Sequence, residues 1–140
     1  MNALNRIQFD LPASYASLEP LGTRLRAVLA HIEGVAEPGV TSYNIQLAAT
    51  EIFANIAGHA YAGREDGWVS ICLAFDAASR DFSIELHDTG APFDPTEVPL
   101  PNLEELQEGG FGLFLAQNLM DDVMYNTQPD GNHWLLTKRI

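Results

Sequence analysis

The chain has 140 residues, 46% of them hydrophobic and 19% charged, and 7 basic against 19 acidic side chains leave a formal charge of −12. That length builds one domain whose core needs no metal or disulfide to hold it, and a single cysteine, Cys72, excludes an internal disulfide framework. No apolar run approaches the roughly 20 residues that cross a bilayer, and so acidic a surface repels phosphate backbones and anionic headgroups, which disfavours nucleic-acid and membrane binding and leaves a cytosolic setting as the expectation.

Ile7, Phe9 and Leu11 alternate with Gln8 and Asp10, the period-two pattern of a short strand closed by Pro12. From Ser17 the residues Leu18, Leu21, Leu25, Val28, Leu29 and Ile32 recur at steps of three and four, which predicts an amphipathic helix ending near Gly34. Glu37-Pro38-Gly39 reads as a turn. A second helix is expected from Ser42 through Ala60, with Ile45, Ala48, Ala49, Ile52, Phe53 and Ile56 inward, and Gly63 to Gly67 breaks the chain.

Val69, Ile71, Leu73 and Phe75 share one face of a strand from Trp68, and Phe82, Ile84 and Leu86 share one face of the next, so an antiparallel hairpin turns across Asp76 to Asp81. Between Gly90 and Gly110 four prolines and five acids, with no lysine or arginine, read as a mobile lid without regular structure before Leu103. A third helix over Leu113 to Met120, a strand over Val123 to Thr127, a hairpin turn at Asp130-Gly131 and a last strand over His133 to Arg139 complete the order. Strands in runs outnumber βαβ crossovers, which favours an α+β fold: a two-layer sandwich with a mixed, mostly antiparallel sheet and helices on one face.

Three polar clusters carry chemistry. Glu51, Asn55 and His59 lie on the second helix. At the helical repeat Asn55 is about 40° and His59 about 80° round from Glu51, along the border of the buried face. Alone this is a solvated helix edge; chemically, a carboxylate one turn from an amide oxygen can act as a base beside a Mg²⁺ ligand. Asp88 follows Phe82, Ile84 and Leu86 in register, so its carboxylate leaves the strand end toward the helices and needs a donor there. An adenine amine is one such donor, and Gly90 lets the backbone approach a flat ring, although an acidic turn residue after a strand is common. Gly109-Gly110-Phe111-Gly112 opens the third helix, where unpaired N–H groups and the helix dipole favour phosphate oxygens. A flexible join would look the same, and the run is neither a P-loop nor a dinucleotide fingerprint.

Their order narrows the choice. The stretches LAATEIFANIAGHAY (47–61), ELHDTGAPFDP (85–95) and EGGFGLFLAQNLMDDV (108–123) resemble the Bergerat-type, histidine-kinase-like ATPase superfamily, and within it the anti-sigma factor serine/threonine kinases that switch partners in bacteria. The likeness covers nearly the whole chain as one ATP-binding domain. It implies that Glu51 is the general base, Asn55 the magnesium ligand and Asp88 the adenine contact. It further implies that Gly90 admits the purine, and that Gly109, Gly110, Phe111, Gly112 and Leu113 hold the phosphates through their amides. His59 falls in the family's His-Ala-Tyr position, where a structural histidine is equally compatible.

The resemblance also implies ATP and Mg²⁺ as cofactors, a small anti-anti-sigma-like antagonist as phospho-acceptor, a sigma factor or other regulatory target, and a homodimer. The alternatives are a nucleotide-dependent binding module without phosphoryl transfer, a slow ATPase, or an interaction domain without nucleotide. A pure binder has no need of Glu51 as a base. With no basic residue between Ala91 and Glu108, catalysis leans on magnesium, amides or a partner's side chain, and turnover is expected to be slow. Gly58, a poor helix former, should loosen the end of its helix. Trp68, Trp134 and Phe111 are expected to pack internally, and Cys72 to be an unreactive small residue on the strand face opposite Val69 and Ile71.

Overall fold

A computed structural model describes residues 4–60, 67–91 and 112–140, with side chains from residue 6 and, in the first segment, up to residue 58. The lid residues from Pro92 onward, Gly109, Gly110, Phe111 and the His59 side chain lie outside the described residues.

The elements are β1 (Leu4–Pro12), α1 (Leu18–Ala30), α2 (Pro38–Asn55), β2 (Trp68–Asp76), β3 (Asp81–Asp88), α3 (Gly112–Leu119), β4 (Asp122–Gln128) and β5 (Gly131–Arg139). The five strands form one sheet in the order β1-β2-β3-β5-β4, and all four pairings are antiparallel. The period-two pattern puts Val69, Ile71, Leu73, Phe82, Ile84, Leu86, Trp134 and Leu136 on one face, where they form a single core with Leu21, Leu25 and Leu29 of α1, Ile45, Ile52 and Phe53 of α2, and Leu113 and Ala116 of α3. This is the α+β two-layer sandwich expected from the order of elements, except that its sheet is antiparallel throughout instead of mixed.

Four boundaries differ from the expected ones for local reasons. A 3₁₀ turn over Tyr15–Ser17, capped by the Ser14 hydroxyl accepting from the Ala16 N–H at 3.2 Å, leads into α1. That helix ends at Ala30, because the N–H groups of His31 and Ile32 already reach back only three residues, to Val28 and Leu29 at 3.1 Å, and Gly34 takes a left-handed φ of 78°. α2 begins four residues before Ser42. Pro38 occupies its first turn, where the missing N–H costs nothing, and the bend is taken by Glu37 at φ 46°. The β4–β5 turn is centred on Pro129-Asp130, since Gln128 already pairs with Gly131.

The other face of the sheet carries no helix among the described residues. Cys72 is buried there and accepts from Arg6 Nη2 at 3.0 Å. Trp134 is buried as expected, but Trp68 is 59% exposed. Alternation with Val69 turns Trp68 away from the helices, at the strand end opposite Pro12. On the same face His133 Nε2 lies 3.1 Å from Asp130 Oδ1; this hydrogen bond, reinforced by attraction to both His133 and His87, holds the Asp130 carboxyl below the usual carboxylate range. No helix among the described residues is long and apolar enough to cross a membrane.

Candidate functional site

Glu51 and Asn55 are half-buried, one turn apart on α2, between inward residues Ile52 and Phe53 and the helix's outer face. This is the border stripe the helical repeat implies. The next turn widens into a π turn over Ile56–Ala60, so the backbone of His59 continues the helix with altered spacing. Gly58 lies in that turn for a contact as well as for looseness: a Cβ there would stand 2.5 Å from the Tyr15 hydroxyl.

α3 packs on α2 at Glu51. A Cβ on Gly112, where the described α3 begins, would stand 2.6 Å from Glu51 Oε1 and 3.3 Å from Glu51 Cβ, so any other residue there would push the carboxylate aside. The amino end of a helix, where backbone N–H groups lack intrahelical partners, is thereby brought against an acid. Leu113 is 7% exposed and its side chain packs into the core.

Asp88 is 2% exposed at the end of β3, on the helix-covered face. Sequence reasoning offers an adenine amine as donor to this carboxylate; the protein itself supplies two. Gly90 N–H and Asn132 Nδ2 both donate to Asp88 Oδ1 at 2.9 Å. The other hydrogen of Asn132 Nδ2 serves the Gly90 carbonyl at 3.0 Å, and Asn132 Oδ1 accepts from Thr127 Oγ1 at 2.7 Å, with the Tyr125 hydroxyl 3.0 Å from Thr127 Oγ1. Asn132 therefore clamps Asp88 and Gly90 together from β5. Sequence reasoning missed it: the expected last strand began at His133, and the pairing of Asn132 with Asp88 depends on β5 lying beside β3.

Truncating Asn132 to alanine removes one of the two donors to a buried carboxylate and leaves the Thr127 hydroxyl to find a new acceptor. Asn132→Ala is expected to cost about 1–3 kcal/mol of stability. Urea unfolding followed by circular dichroism measures it, and an unchanged midpoint would show that the clamp contributes no net stability.

Residues 11–138 match the histidine kinase-like ATPase domain family. The chain belongs to that family. Serine-protein kinase RsbW of Oceanobacillus iheyensis is 35% identical, over 69% of this chain and 68% of that protein. RsbW of Listeria innocua is 31% identical over 85% and 78%, and the serine/threonine-protein kinase BtrW of Bordetella bronchiseptica is 31% identical over 68% of each. Among solved structures, that of the RsbU and RsbW domains of a Mycobacterium tuberculosis protein superposes with a TM-score of 0.69 at 19% identity over 96% of this chain, which spans 32% of the longer one. The histidine kinase domain from Erythrobacter litoralis EL346 follows at a TM-score of 0.56 and 18% identity, covering 99% of this chain and 64% of that one. At such identities these two structures establish the fold, and it is the fold described above. The resemblance to anti-sigma factor kinases, carried in sequence by three stretches, is borne out.

Proposed function

We propose that this protein phosphorylates a serine or threonine of a small anti-anti-sigma-like antagonist protein, with Glu51 as the general base. It is an ATP-using serine/threonine-protein kinase of the partner-switching, anti-sigma type. The observation that carries the residue assignment is the meeting of the Glu51 carboxylate with the amino end of α3 at Gly112.

That arrangement divides the labour of phosphoryl transfer, which needs alignment and charge neutralisation more than covalent help. Glu51 takes the proton of the incoming hydroxyl as its oxygen bonds to the γ-phosphorus; the bond to the bridging oxygen breaks and ADP leaves. The amides opening α3, those of Gly112 and Leu113 with Gly109, Gly110 and Phe111 before them, donate to phosphate oxygens. Asp88 receives the adenine amine on Oδ2, since both protein donors occupy Oδ1. Gly90, tied to Asp88 and Asn132, presents backbone without a side chain to the ring. Asn55, half-buried one turn from Glu51, offers an amide oxygen suited to Mg²⁺. Bound Mg²⁺ would supply positive charge to the phosphates. His59, in the family's His-Ala-Tyr position, is assigned a place near the nucleotide on the resemblance.

The test is incubation of the protein with Mg²⁺, γ-labelled ATP and a small anti-anti-sigma-like antagonist protein. Label on a serine or threonine of the antagonist is the expected result. Tight ATP binding with no label on the antagonist would replace this reading with that of a nucleotide-gated binding module.

Gly112 supplies a finer check on the geometry. Gly112→Ala places a methyl group 2.6 Å from Glu51 Oε1, and the carboxylate must yield. A displacement approaching 1 Å is expected to slow transfer roughly 10- to 100-fold. Single-turnover labelling at saturating ATP measures this, and a wild-type rate would show that the position of Glu51 is not limiting.

A further inference from the structure

The sheet face that none of the described helices covers holds a cluster apart from the residues assigned to the kinase reaction. His87 of β3 and His133 of β5 are register partners, and their rings stack with centroids 4.4 Å apart and planes 19° from parallel. Both direct Nε2 at Asp130 in the β4–β5 turn: His87 Nε2 is 3.0 Å from the Asp130 carbonyl oxygen and His133 Nε2 is 3.1 Å from Asp130 Oδ1. One ligand atom from each of the three residues lies within 4.8 Å of the others. The turn closes this tightly because of Gly131, which has φ 133° and where a Cβ would stand 2.8 Å from His87 Nε2.

We propose that His87, Asp130 and His133 form a binding site for a borderline divalent transition ion of the Zn²⁺ class. Two imidazole nitrogens and one carboxylate oxygen suit Zn²⁺, Ni²⁺ or Cu²⁺ rather than Mg²⁺ or Ca²⁺, which prefer oxygen alone. Three protein ligands leave a fourth tetrahedral position to water. A tetrahedral zinc with bonds near 2.0–2.1 Å spaces its ligands about 3.3 Å apart. Side-chain rotation is the movement open to the cluster for closing to that spacing: Asp130 is exposed and both imidazoles are partly so, while the paired strands hold the backbones of His87 and His133. The site is separate from the nucleotide-binding residues. Asp88 and Asn132, the next register pair, point to the opposite face of the same two strands.

The experiment titrates the nucleotide-free full chain with Co²⁺, followed by the visible d–d bands of a tetrahedral site, and then with Zn²⁺, which should displace Co²⁺. One ion per chain is expected. His87→Gln, His133→Gln and Asp130→Asn should each weaken binding by at least about 10- to 100-fold, the cost of losing even an outer partner of a metal site. His31→Gln should bind as wild type, and circular dichroism should show every variant folded. Absence of bands together with absence of Zn²⁺ binding would overturn the proposal. So would binding that survives the His87→Gln/His133→Gln double substitution, or binding abolished by His31→Gln.

Discussion

Glu51→Ala is expected to abolish most phosphoryl transfer while leaving ATP bound. A positioned base contributes about 10²- to 10⁴-fold to a proton transfer, and alanine leaves the acceptor hydroxyl with no carboxylate on α2 to take its proton. The residues assigned to the adenine and the phosphates, Asp88, Gly90 and the amides of α3, are untouched by the change. The heat-stability gain given by ATP and Mg²⁺ should therefore persist in the variant, since it depends on nucleotide affinity alone. Glu51→Gln should lose as much activity as Glu51→Ala, because an amide keeps the size but cannot accept the proton. Labelling of the antagonist in single turnover, read beside the thermal shift with ATP, separates the two quantities. Transfer at an undiminished rate in both variants would remove Glu51 from the chemistry and place the base elsewhere. Loss of ATP binding together with transfer would make Glu51 a structural support for α3, a role its contact with Gly112 also permits.

The features legible in the sequence were those set by neighbours on the same element. The alternation of Phe82, Ile84, Leu86 and Asp88 placed a carboxylate on the helix side of β3, and Asp88 is buried there. The helical repeat put Glu51 and Asn55 on the margin of α2, and both are half-buried. Features that depend on how strands pair were not legible. Nothing in the spacing of Asp88 and Asn132, 44 residues apart, announces a hydrogen bond between their side chains. The cluster of His87, Asp130 and His133 likewise exists only because β5 enters the sheet between β3 and β4. Trp68 misled for a related reason. A large aromatic in a strand reads as core, but only one face of this sheet is covered by the described helices, and alternation sends Trp68 to the other.

The start of α2 shows a different limit. Glu-Pro-Gly is strong turn punctuation, and Glu37 does take a left-handed conformation, yet Pro38 then serves as a helix start and not as a break. The same three residues satisfy both readings. The choice was made by the apolar face of α2 that follows them, which has α1 and the sheet to pack against.

Asp88→Asn should separate recognition of adenine from folding. Asparagine keeps an acceptor at Oδ1, where Gly90 N–H and Asn132 Nδ2 both donate at 2.9 Å, so the clamp between β3 and β5 is retained with a neutral acceptor in place of a charged one. The second oxygen becomes an NH₂ group. An adenine amine arriving at that position then meets a donor where it needs an acceptor. The lost charge-assisted bond is worth about 1.5–3 kcal/mol, and two opposed donors in a buried site add about 1–3 kcal/mol of unsatisfied polar groups. ATP affinity should therefore fall by at least about 10²-fold, while the urea midpoint moves far less than in Asn132→Ala, because Gly90 N–H and Asn132 Nδ2 both keep their acceptor. Titration calorimetry with ATP and unfolding without it provide the two measurements. If affinity were retained, the Asp88 carboxylate would be structural and the adenine would be read elsewhere. If the midpoint fell as far as in Asn132→Ala, the charge on Asp88 would be needed by the clamp itself, and recognition and folding would share one group.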